Sequence, residues 1–179
     1  MVAGGFGIAW TLWGASGLAR GLAVTVRVGG IVIGAGILAG SVVLQRRARR
    51  ATRVGRWAGT GGRSGSMFSS RGYRLVVAVE VIALLAGAAL LGATGHSEYT
   101  IAWFAAVVGM HFLAFGRLFL TGFYWLGAAL LAAGVAGAIV GLAGAGSDAI
   151  RAVSGLIAAA SLFAAGGWTV MVSRAGLRD

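Results

Sequence analysis

Six runs of about twenty apolar residues, none broken by a proline, restrict this chain to one kind of fold. The hydrocarbon core of a bilayer is roughly 30 Å thick and is crossed by about 20 helical residues, because inside it every backbone N–H and C=O must be satisfied within the segment. The runs cover about Val2 to Ala19, Leu22 to Leu44, Tyr73 to Leu91, Tyr99 to Leu118, Gly122 to Ala143 and Ala149 to Val172. The expected fold class is therefore all-α: a polytopic membrane protein, a bundle of six transmembrane helices forming one membrane domain over residues 1–179. Charged residues make up only 11% of the chain, against roughly 25% in an ordinary soluble domain. With proline absent, any kink has to come from glycine, of which there are 33, or from a local insertion into the helix.

The connections are short, so sequential helices are expected to pack as antiparallel hairpins. The exception is the basic segment 45–72. It holds Arg46, Arg47, Arg49, Arg50, Arg53, Arg56, Arg63 and Arg71, with Arg74 at the start of the next helix. The positive-inside rule places such a loop in the cytoplasm. Two runs precede it and four follow, which puts both termini on the cytoplasmic side. Arg117, Arg174 and Arg178 then also fall inside, while Glu98 and Asp148 fall outside with Arg20, Arg27 and Arg151. Every basic residue is Arg, and Gly and Ala abound, a usage typical of GC-rich bacterial genomes; the expected location is the bacterial cytoplasmic membrane.

From Arg46 to Trp57 the loop is expected to form an amphipathic helix on anionic headgroups, with Val54 and Trp57 entering the interface. Residues 61–66, Gly-Gly-Arg-Ser-Gly-Ser, read as a flexible linker. Membrane lipids are thus the expected partner of the basic loop, and no specific nucleic acid is. The amino end lacks the basic region of a secretory signal, so the first run is expected to stay uncleaved.

Gly30 with Gly34 and Gly36 with Gly40 form two small-xxx-small pairs on the second run, which let backbones approach closely. Another helix, from a second copy or from a partner membrane protein, is the kind of neighbour such faces suit. Trp10 and Trp13, three residues apart, share a helix face and are expected to pack within the bundle. Tyr99 and Trp103 toward the outside, and Tyr124, Trp125 and Trp168 toward the inside, fit interfacial anchoring.

Only Glu80 and His111 lie well inside apolar runs. An ionisable side chain at mid-membrane costs about 2.5–3.5 kcal/mol on insertion scales, so it marks either a function or a satisfied polar bridge. Glu80 is six residues beyond Arg74, and His111 six before Arg117. At 1.5 Å per residue each is about 9 Å from its helix's interfacial Arg. The turn between the two runs is centred near Gly95 and His96, and reflection through it carries residue 80 onto residue 111, so the two side chains are expected at equal depth. Arg27, a turn or two inside the second run, is expected to snorkel outward, with Asp148 or Glu98 as its candidate counter-ion.

Other chemistry finds little support. There are no cysteines and only two histidines, which make no convincing metal or haem site. No phosphate-binding glycine loop of the Walker type occurs, and Ser154 and Ser161 have no base near them in the sequence. Neither an enzyme nor a cofactor is expected.

Gly109-Met110-His111-Phe112-Leu113-Ala114, followed by Arg117, Phe119, Tyr124 and Gly127, resembles a stretch in small six-helix bacterial membrane proteins of unassigned function. In those the residue after the leucine is often proline; here it is Ala114. The resemblance spans about Tyr99 to Leu130 and implies six helices and a role for His111, but no activity. Ile8-Ala9-Trp10 recurs as Ile101-Ala102-Trp103, a three-residue trace of an inverted repeat. Two functions follow as expectations: a small-solute or proton-coupled transporter or channel using Glu80 and His111, or a non-catalytic membrane scaffold or accessory subunit in which they form a bridge.

Overall fold

The computed structural model describes residues 2–54, 71–118 and 121–175, with only the backbone described at residue 2 and over residues 47–54. Six α-helices follow one another: α1 (Val2–Gly14), α2 (Arg20–Val54), α3 (Arg71–Ala93), α4 (Thr100–Leu118), α5 (Gly122–Leu142) and α6 (Ser147–Ala175). Short 3₁₀ turns, Ala15–Gly17 and Ser97–Tyr99, precede α2 and α4. No strand occurs among the described residues. Helices α2 to α6 are long and apolar enough to cross a membrane. α1, at 13 residues, is about 20 Å long and falls short by itself.

Two of the expected boundaries change. The first run is one helix only as far as Gly14 and then tightens into the 3₁₀ turn. The small residues from Gly14 to Gly17 supply little side-chain packing to hold α geometry. The basic stretch after Leu44 is not a separate surface helix: residues 46–54 continue α2 without a break. Between Gly40 and Gly55 there is no glycine, and Arg, Gln, Leu and Ala are all good helix formers. Arg47, Arg49, Arg50 and Arg53 therefore ride on a helical extension of α2, whereas Arg56, Trp57 and the linker at 61–66 lie outside the described residues.

Two tight turns set the hairpins. Gly95 (φ 76°) and Gly144 (φ 86°) adopt the left-handed conformation that ends α3 and α5. In each case the next residue's N–H reaches back to the last turn, His96 to the Leu91 carbonyl at 2.8 Å and Ala145 to that of Val140 at 3.2 Å. This is the Schellman closure, for which glycine alone carries no steric cost.

Glycine also determines how closely the helices approach. On α4 and α5, a Cβ at Gly109 would stand 2.5 Å from the Leu131 amide nitrogen, and one at Gly134 2.5 Å from the Ala102 carbonyl oxygen. On α1 and α6, a Cβ at Gly14 would stand 2.8 Å from the Gly155 carbonyl carbon. These are backbone-to-backbone contacts of the small-residue type that drives helix association where no hydrophobic effect operates. Of the α2 glycines, Gly30 meets Thr11, Gly34 meets Ile8 and Gly4, and Gly40 meets Val170, while Gly36 faces open space.

The core lies where α1, α4, α5 and α6 converge, and includes Trp10, Ile101, Leu130, Ile150 and Leu162. Trp10 packs in the bundle and stacks on Trp13 at 5.9 Å, whereas Trp13 is 37% exposed and touches α4 only edge-on, at Phe104. α3 stands apart. It has no buried residue and, among the described residues, packs only on α4 and the turn before it.

Candidate functional site

The α3–α4 seam follows from heptad spacing. Tyr73, Glu80 and Gly87 recur every seven residues on α3, which keeps them along one edge of the helix. Each meets α4: the Tyr73 ring stacks on Phe115 at 5.4 Å, Glu80 meets His111, and Gly87 makes room for Trp103. The antiparallel register is the one imposed by the Gly95 turn.

At the centre, Glu80 Oε2 stands 2.9 Å from His111 Nδ1, with the side chains 17% and 10% exposed. The contact has the distance of an ion pair, but the Nδ1–H does not point along it, so it lacks hydrogen-bond direction. Aromatic rings enclose the imidazole. Phe115, one turn on, lies 4.1 Å away between ring centres, and Phe112 lies edge-on at 5.4 Å. Phe123 from α5 stacks on Phe112 at 5.6 Å, tying the seam to the rest of the bundle. A carboxylate and an imidazole are thus held together in an apolar, aromatic setting, at a position where proton exchange and structural bridging are both chemically open.

Trp103 supplies a second polar link. Its indole Nε1–H donates to the Ala83 carbonyl at 3.0 Å. In the helix that carbonyl already serves the N–H of Gly87, and only the missing side chain at 87 leaves space for the indole, whose Nε1 would clash with any Cβ there. The expected interfacial anchor is thus a cross-helix donor. Its position eight residues before His111, on the same side of α4, was the available signal. Gly87→Ala is expected to cost about 1–2 kcal/mol by expelling the indole. In a Trp103→Phe background the same change should cost little, which denaturant titration of the four variants would read as a coupling energy.

The other candidate charges lie at the ends. Arg46, Arg74 and Arg117 are exposed at one end of the bundle; Gly72, two residues before Arg74, lies against Leu118, one residue after Arg117. At the other end Asp148 is taken by Arg151, three residues along α6, rather than by Arg27. The i,i+3 partner on the same helix wins because it needs no reach across helices. Arg27 is half-buried and makes no ion pair among the described residues. Trp125 and Trp168 are 84% and 70% exposed, as expected for anchoring side chains. Among the described residues no three His, Cys, Asp or Glu side chains gather into a metal site. Ser161 donates to the Ile157 carbonyl at 2.8 Å, while the fully buried Ser154 hydroxyl, pressed against Gly137, has no hydrogen-bond partner among the described residues.

Comparison with protein-family models, curated proteins and solved structures yields no match to this chain.

Proposed function

We propose that this multi-pass membrane protein is a non-catalytic scaffold or accessory subunit of a bacterial cytoplasmic membrane, in which Glu80 and His111 clasp α3 to α4. The observation that carries this reading is the position of the pair: it lies on the seam of a peripheral helix with no buried residue, away from the core between α1, α4, α5 and α6. A helix with so little apolar burial takes its register from a few polar contacts, here the Glu80–His111 pair and the Trp103 hydrogen bond. The clasp holds α3 in place while its outer face, including Leu75, Ile82 and Leu85, is left for lipid or another membrane protein.

In this reading the chain crosses the membrane six times with the basic end cytoplasmic. The first crossing is supported by register: α1 and its 3₁₀ turn run antiparallel to α6, Ala3 beside Gly166 and Gly17 beside Asp148. That stretch of α6 is about 27 Å long, nearly the hydrocarbon thickness.

Transport is the second reading. It is favoured by the off-line Nδ1–H, which leaves the carboxylate and imidazole in contact without a settled hydrogen bond. One experiment separates the two. In proteoliposomes carrying a pH-sensitive dye, wild type, Glu80→Gln and His111→Ala are expected to pass protons equally, with or without a panel of small solutes, while both variants unfold at lower denaturant. Proton flux in wild type that both substitutions abolish, at unchanged stability, would establish the transport reading instead.

A further inference from the structure

The basic end of the bundle holds a guanidinium without a counter-ion among the described residues. α2 and α6 run parallel there, with Ile37 against Gly166 and Gly40 against Val170. The absent side chain of Gly40 lets the two helices touch: the residue is buried, and Val170 Cγ1 stands 3.2 Å from the point its Cβ would occupy. Arg174, in the last turn of α6, lays its guanidinium against the same contact, with Nη2 3.7 Å from that point. Gly40 is six residues before Arg46, so this charge lies about 9 Å further into the membrane than the Arg46 backbone.

No described residue neutralises it. Glu80 is engaged by His111 and Asp148 by Arg151. Asp148 and Glu98 open α6 and the turn before α4, at the opposite end of the bundle, and Asp179 lies outside the described residues. Arg46 is exposed on the neighbouring helix, and α2 continues past it through Arg47, Arg49, Arg50 and Arg53.

We propose that the Arg174 guanidinium, laid against α2 at Gly40, is a binding site for the phosphate of an anionic phospholipid headgroup. Guanidinium presents a planar fork of donors that matches two phosphate oxygens and is less tightly hydrated than ammonium. Basic clefts between transmembrane helices at the cytoplasmic side are suited to acidic headgroups. Arginine snorkels toward the headgroup layer, and the acyl chains of such a lipid would lie along the exposed Val43 of α2 and Met171 of α6. This site is independent of the Glu80–His111 clasp.

The test uses the full chain in nanodiscs of phosphatidylcholine doped with phosphatidylglycerol, with retained lipid counted by native mass spectrometry after transfer to detergent. Wild type is expected to retain phosphatidylglycerol over phosphatidylcholine. Arg174→Gln should weaken that retention about fivefold, the effect of one basic residue near the surface. Gly40→Leu, which pushes Val170 and the Arg174 guanidinium off α2, should do the same; Arg151→Gln, at the other end, should change nothing. Arg174→Gln alters only an exposed side chain, so an unchanged unfolding midpoint is expected alongside its loss of lipid. Equal retention in wild type and Arg174→Gln overturns the proposal. So does full displacement of the lipid by millimolar inorganic phosphate, which would make Arg174 a free-anion site.

Discussion

Replacing His111 with alanine is expected to destabilise the protein by about 3 kcal/mol, and the effect should concentrate on α3. Removing one partner of a poorly solvated ion pair leaves the other charge uncompensated, which costs about 3–5 kcal/mol when burial is complete. The Glu80 side chain is 17% exposed, so the lower part of that range applies. Denaturant titration in mixed micelles measures the total. A thiol cross-link measures where it falls: the chain has no native cysteine, and Gly72→Cys with Leu118→Cys places two thiols across the α3–α4 seam. Cross-linking by a short bifunctional reagent should be efficient in the parent and reduced several-fold with His111→Ala. The double replacement Glu80→Leu/His111→Leu should return to within about 1 kcal/mol of the parent, because well-packed apolar groups carry no desolvation cost. A double variant as unstable as the single one would mean that the pair's position requires polarity, contrary to a purely structural clasp.

The sequence made the hairpin register of this pair readable because three independent marks agreed. Arg74 and Arg117 fixed the interfacial border on each helix, Gly95 fixed the turn, and equal six-residue offsets did the rest. Depth was legible, since it depends on counting along one helix. Azimuth was not, since it depends on which face of α3 meets α4, and α3 is apolar nearly all round. The heptad recurrence of Tyr73, Glu80 and Gly87 contained that information, but it becomes evident only once their α4 partners are known.

Arg27 and Trp103 show the same limit from the other side. Long polar side chains choose partners by reach, and reach is a property of the packed helices. Arg151 took Asp148 from its own helix, while the Trp103 indole crossed to Ala83 because Gly87 left the way open. The continuation of α2 to Val54 was hidden for a different reason. Hydropathy marks where a helix leaves the hydrocarbon, whereas only helix-breaking residues mark where it ends, and the first candidate after Gly40 is Gly55. The basic stretch is therefore read better as an extension of a spanning helix than as a surface helix of its own.

Gly155→Ala is expected to cost about 3 kcal/mol, whereas Gly36→Ala should stabilise slightly. At Gly155 an added Cβ collides with the Cα and nitrogen of Gly14, and at Gly14 it would meet the backbone of Gly155 and Leu156. Neither neighbour is a flexible side chain, so the clash is relieved only by moving α1 away from α6. That movement also pulls Gly7 away from Phe163 and loosens Trp10, which is 6% exposed in the core. Overpacking usually costs about 1–3 kcal/mol, and a contact between two backbones belongs at the upper end. Gly36 presents the opposite case: it lies in the same type of apolar helix, yet nothing stands within 4 Å of its added Cβ. There the substitution removes only the conformational freedom of glycine, worth about 0.5–1 kcal/mol in favour of alanine. Denaturant titration of the two variants in one detergent would give shifts of opposite sign. Equal shifts would mean that the approach of α1 to α6 is not limited by the Gly14–Gly155 contact, and that the first helix sits on the bundle more loosely than its register with α6 implies.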